Sequence, residues 1–112
     1  MTVSAEEAFR RLTIGEAAIM DPSGERGRAA HETWHLDART EALLCLGALV
    51  ALDGPAASYR STVEAAQRSG ARLDDLLAVL IAVSGTVGSA RVLSAAPKVA
   101  LAAGYDVEAA LE

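Results

Sequence analysis

The chain has 112 residues, an apolar fraction of 52%, a mean hydropathy of +0.26 and a formal net charge of −5. This length predicts a single domain, residues 1–112, with a modest core. An acidic balance with one lysine, Lys98, and scattered arginines excludes a nucleic-acid partner, because neutralising phosphates takes clustered Lys and Arg.

Residues 1–36 read as an N-terminal helix and loop. Met1 to Arg10 is polar and acidic, unlike the apolar run of a secretory leader. Ser4-Ala5-Glu6-Glu7 has the spacing of a capping box, with Ser4 as N-cap and Glu7 reaching back. It predicts a helix to Leu12 or Thr13 with Ala8, Phe9 and Leu12 as its buried stripe. A short turn is expected around Ile14 to Met20. Asp21-Pro22-Ser23-Gly24 is a turn signal that continues to Gly27, so residues 21–27 are expected to form a mobile loop. Arg26 and Arg28 then read as part of a solvated loop.

His31-Glu32-Thr33-Trp34-His35 fits HExxH. Within a helix, two histidines four apart share a face and can hold Zn²⁺, with the glutamate as general base. Asp37 looks like the N-cap of the next helix, which would leave the motif in a linker just ahead of it. No recognisable third-ligand motif accompanies the pair. The primary expectation is therefore no metal and no cofactor, with His31, Glu32 and His35 kept as an alternative metal site.

Residues 37–112 read as a helical core. Asp37 caps a helix whose stretch from Ala42 to Leu52 has no polar side chain apart from the Cys45 thiol. Asp53-Gly54-Pro55 stops it and opens an amphipathic helix to about Ser69, with Tyr59, Val63 and Ala66 on one face and Gly70 as the stop. Leu73-Asp74-Asp75 opens a second all-apolar helix, expected to loosen near Gly85 and Gly88. A last long helix, about Ser89 to Ala103, contains Pro97, which should kink or split it. Asp106 is positioned to cap a final short helix over Val107 to Leu111.

No strand alternation is present, and the fold class predicted is all-α. One Phe, one Trp and two Tyr leave the core to small aliphatic side chains, which suits closely approaching helices. Cys45 is the only cysteine, so no intrachain disulfide or CxxC pair can form, and its leucine neighbours predict an unreactive core thiol. The longest uncharged run, Leu76 to Ala90, is shorter than the roughly 20 residues of a membrane span, so no membrane partner is expected. These features predict a cytoplasmic protein. Two helices apolar on all sides cannot both be covered within so short a chain, which predicts a homo-oligomer.

Leu36-Asp37-Ala38-Arg39-Thr40-Glu41-Ala42-Leu43 resembles the opening of the core helix of the carboxymuconolactone decarboxylase family. Thr62-Val63-Glu64-Ala65-Ala66 with Ser69-Gly70-Ala71, and then Leu73 to Leu80, resemble its following helices. The resemblance covers about Leu36 to Gly104. It implies an alkylhydroperoxidase D-like bundle of about six helices, with core hairpins packed in a trimer or hexamer. It also implies a decarboxylase or a disulfide-relay peroxidase activity. The peroxidase cysteines would fall at Pro55 and Ser58 and its histidine at Thr62, so the relay is missing; Glu41 alone remains at a family site position. The expectation is a protein of unknown reaction with Glu41 as acid/base residue. It would act on a small organic acid or lactone in an intersubunit pocket. A non-catalytic oligomeric scaffold or small-molecule binding protein is the alternative.

Overall fold

The structure is a computed structural model and describes residues 3–105. The proposed helix over Val107 to Leu111 lies outside those residues. Among the described residues there are six α-helices, one short 3-10 helix and no strand. None of the helices is long and apolar enough to cross a membrane. The chain packs as two compact units that divide between Leu36 and Asp37.

The first unit contains α1 (Ala5–Thr13), a 3-10 helix (Ala17–Met20) and α2 (Glu25–Thr33). Ser4 caps α1 by accepting from the Glu7 backbone N–H at 3.1 Å. The Glu7 carboxylate does not complete the capping box. It accepts from Arg10 Nε at 2.9 Å, Arg10 Nη2 at 2.8 Å and Arg11 Nε at 3.2 Å, because guanidinium groups one turn along offer stronger, charge-assisted bonds. Of the expected stripe only Ala8 is buried; Phe9 is 70% exposed and Leu12 is 41% exposed.

Helix α2 stands where the sequence reads as loop and linker. Asp21 accepts from Ser23 N and Oγ at 3.0 and 2.7 Å, which closes the turn and delivers the chain to Gly24 as N-cap. Ala, Arg and Glu favour helix over Glu25–Thr33 and Gly27 opposes it, and the place of Gly27 follows from close backbone packing. A Cβ at Gly27 would land on the Asp21 carbonyl, so only glycine lets α2 approach the turn before it.

The second unit contains α3 (Ala38–Leu52), α4 (Ala56–Arg68), α5 (Leu73–Val87) and α6 (Ser89–Ala102). Asp37 caps α3 through the Thr40 N–H at 3.2 Å and the Thr40 hydroxyl at 2.6 Å, and these bonds hold its carboxyl below the usual range. Asp53 ends α3 at φ 53°, a left-handed conformation that aspartate tolerates better than most residues. The core joins Leu46 and Val50 of α3, Tyr59, Val63 and Ala66 of α4, Leu76 and Leu80 of α5, and Ala95 and Val99 of α6. The Tyr59 hydroxyl is buried without a hydrogen-bond partner among the described residues, and burial followed by the nearby Asp53 charge raises its pKa.

Two further expectations need correction. Helix α5 continues through Gly85 to Val87. Of the kink or split expected at Pro97, the split does not occur: α6 runs unbroken from Ser89 to Ala102, and Leu93 and Pro97 both face solvent, where water can satisfy the carbonyl that proline leaves unpaired.

Two predictions follow from the packing of the first unit. Gly27→Ala should destabilise it by about 1–3 kcal/mol or more, since the obstruction is backbone rather than a movable side chain; thermal unfolding followed by Trp34 emission measures this. Glu7 is lowered from its ordinary 4.5 to about 2 by its arginine hydrogen bonds. A lowered folded-state pKa stabilises fully above pH 4.5 and is lost as pH falls toward about 2. Glu7→Gln should therefore be less stable than the parent at neutral pH and equal to it at the acid end; a deficit that persists there contradicts the assignment.

Candidate functional site

The α3–α4 hairpin forms a cleft of about 250 Å³ lined by Glu41, Ala42 and Cys45 of α3 and by Ser61, Thr62 and Ala65 of α4. Its geometry follows from the core. With Ala42, Leu46 and Val50 turned inward, Glu41 and Cys45 lie together on a neighbouring face, one helical turn apart. On α4, burying Tyr59, Val63 and Ala66 leaves Thr62 and Ala65 half-buried beside them.

Glu41 sits in the first turn of α3, where the helix dipole favours a negative charge. Arg39, two residues away, is committed elsewhere. Its Nη2 donates to Asp75 Oδ1 at 2.7 Å, and Asp75 also accepts from the Arg72 N–H at 2.8 Å. The Arg72 bond first and then Arg39 hold the Asp75 carboxyl below the usual range. The ion pairs of this unit among the described residues are Arg39–Asp75 and Lys98–Asp53, and neither takes Glu41. Glu41 is exposed and faces the cleft with its carboxylate outside those pairs.

Cys45 is exposed, which corrects its reading as a core thiol. Its leucine neighbours in sequence point away from it around the helix. Its i+4 spacing from Glu41, on the side opposite Leu43, is the signal that could have placed it here. The Ser61 hydroxyl donates to the Ser58 carbonyl at 3.1 Å, within the helix. The cleft thus joins a carboxylate, a thiol and the Thr62 hydroxyl.

The HExxH residues are arranged differently from a zinc helix. Helix α2 ends at Thr33, and Trp34, its C-cap, is extended at φ −119° and ψ 96°. His31 therefore lies on the helix and His35 beyond it, so the two imidazoles do not share a helical face. His31 Nε2 donates to the Met20 carbonyl at 3.0 Å and His35 Nδ1 donates to the Glu32 carbonyl at 3.2 Å. Among the described residues no three His, Cys, Asp or Glu side chains converge as metal ligands.

Comparison with family models, curated proteins and solved structures finds none that matches the chain.

The exposed thiol gives a direct check on the cleft. Cys45 should react with an aromatic disulfide in the native protein without denaturant, and Thr62→Phe, which narrows the opening, should slow that reaction severalfold. A thiol that reacts only after unfolding contradicts this geometry.

Proposed function

We propose that this chain is a carboxymuconolactone decarboxylase-like protein that assembles with copies of itself in the cytoplasm. In this reading the Glu41 cleft becomes part of an intersubunit pocket for a small organic acid or lactone. One observation carries it: Glu41 and Thr62, the two positions that the resemblance assigns to site residues on separate helices, line the same cleft.

The chemistry available there is proton transfer. Glu41 is the carboxylate of the cleft and so its acid/base candidate, while the Thr62 hydroxyl can orient a ligand oxygen. A disulfide relay needs a second thiol to resolve the first, and Cys45 is the only cysteine, so thiol peroxidase activity is not proposed.

Assembly is supported by the faces left uncovered. Leu44 is 63%, Leu77 53% and Ile81 65% exposed, all in stretches of α3 and α5 that carry no charge. Burying each such side chain contributes roughly 1.5–3 kcal/mol, and a second copy offers the same surface for closed symmetric packing. A non-catalytic oligomeric scaffold or binding subunit is the second reading, favoured by the threonine in place of the family's histidine.

The test combines sedimentation with turnover. The parent should sediment as a trimer or hexamer, and the double variant Leu77→Glu, Ile81→Glu should dissociate. With carboxylated lactones as substrates, CO₂ release should fall about hundredfold or more in Glu41→Gln while the assembly persists. Unchanged turnover removes Glu41 from the chemistry. An intact assembly that decarboxylates none of them leaves the scaffold reading. A monomer at every concentration removes the proposed kinship.

A further inference from the structure

In the second unit α3 lies between α4 and α5, and α6 packs against all three on their inner side. With Ala42, Leu46 and Val50 turned inward, the helical repeat carries Leu44, Ala48 and Leu52 to the opposite side of α3. Leu44 is 63% and Leu52 77% exposed, and Ala48 is exposed between them.

This outer face suits a dry partner. Residues 42–52 carry no charge. Hydroxyls beside it on α4 are already satisfied: Ser61 donates to the Ser58 carbonyl at 3.1 Å and Ser69 to the Ala65 carbonyl at 3.0 Å. Covering them strands no donor, which removes the usual cost of dehydrating a polar surface. Size then separates the partners. A single helix laid along α3 meets a strip of about 20 by 10 Å, roughly a quarter of the 800 Å² that each side of a stable interface buries. A face three helices wide offers roughly 500 Å² in projection, before the relief of its side chains is counted. The partner must therefore be a layer of matching width, and a second copy of α4, α3 and α5 is one.

The pattern on α3 also complements itself. Leu44 and Leu52 stand four residues either side of Ala48. An antiparallel pairing with Ala48 on a two-fold axis sets each leucine against the other leucine of the partner, and the small Ala48 pair lets the two helices approach. Charge selects this direction. Glu41 is on the α4 side of α3, where it shares the cleft with Thr62 and Ala65. Seven residues from the axis, it meets the level of the partner's Pro55, where α4 begins with no acidic residue in its first turn and no side-chain cap. The positive end of that helix complements a carboxylate. Asp53 at the same turn is turned to α6, held by Lys98 at 3.7 Å and Ser94 at 3.3 Å. A parallel pairing would instead bring the two Glu41 carboxylates to one level.

We infer that a second copy of the chain docks on the outer face of the α4–α3–α5 layer about a two-fold axis at Ala48, and that the α3–α4 turn of each copy forms one wall of the other's Glu41 cleft. This rests on the self-assembly proposed above and narrows it, since a two-fold contact makes a hexamer and not a trimer.

Cross-linking of the full-length chain tests the axis. The double variant Cys45→Ser, Ala48→Cys changes two exposed positions. Under mild oxidation it should give a disulfide dimer, because residues on the axis fall within the roughly 4.4–6.8 Å Cα separation that a disulfide spans. In the parent the Cys45 residues lie three positions from the axis, about 9 Å apart along the paired helices, and should form no disulfide. Leu44→Glu should halve the sedimenting mass. A trimeric parent, a parent that cross-links through Cys45, a double variant that does not cross-link, or an unchanged mass in Leu44→Glu each overturns this inference and leaves the assembly reading standing. A parent that is monomeric at every concentration overturns both.

Discussion

Everything in the second unit depends on the seam between α3 and α4. Leu46 and Val50 meet Tyr59, Val63 and Ala66 there, and all five are fully buried. A helix with 3.6 residues per turn can turn one face to such a seam. Once α3 commits Ala42, Leu46 and Val50 to the interior, its other apolar residues must face outward or sideways. The same commitment creates the cleft, with Glu41 and Cys45 on one wall and Thr62 on the other, and the uncovered faces. The candidate site and the apolar surface are thus two consequences of one packing choice.

Polar interactions orient this unit from its rim. No charged side chain is buried among the described residues. Asp37 fixes the start of α3, and the Arg39–Asp75 pair ties that turn to the first turn of α5. At the other end of α3, Asp53 accepts from the Ser94 hydroxyl at 3.3 Å, and the Lys98 ammonium lies 3.7 Å from Asp53 and 5.7 Å from the Tyr59 ring centroid. Exposed pairs of this kind contribute little net stability each. They do select one relative arrangement of helices whose apolar surfaces would tolerate several. With so few polar groups inside, chemistry belongs in the clefts and grooves at the surface.

The four helices of the second unit were legible because each is bracketed by residues with a local mechanism. Asp37 accepts from the next turn, Pro55 opens α4, and Gly70 at φ 93° closes it. The buried face of α4 was equally legible, since its charges lie on the other side. Helix α2 was not, because Gly24 and Gly27 look like loop residues until the Asp21 turn is seen packed against them. Phe9 and Cys45 misled for opposite reasons. An apolar residue at a helical spacing reads as core, and a thiol among leucines reads as core, yet burial depends on what lies across from a position and not on what lies beside it in the chain.

By itself the sequence determined where the helices of the second unit begin and where all but α5 end, and that α3 and α5 carry apolar residues on more than one face. Caps, breakers and periodicity act over a few residues, so they are written locally. Only the tertiary structure decided which face of each helix turns inward, and with it that Glu41, Cys45 and Thr62 share a cleft, that the HExxH histidines part at Trp34, and that Leu44, Ala48 and Leu52 line the uncovered side of α3. Those outcomes depend on contacts between elements distant along the chain, where competing packings differ by the fit of side chains that no local pattern specifies.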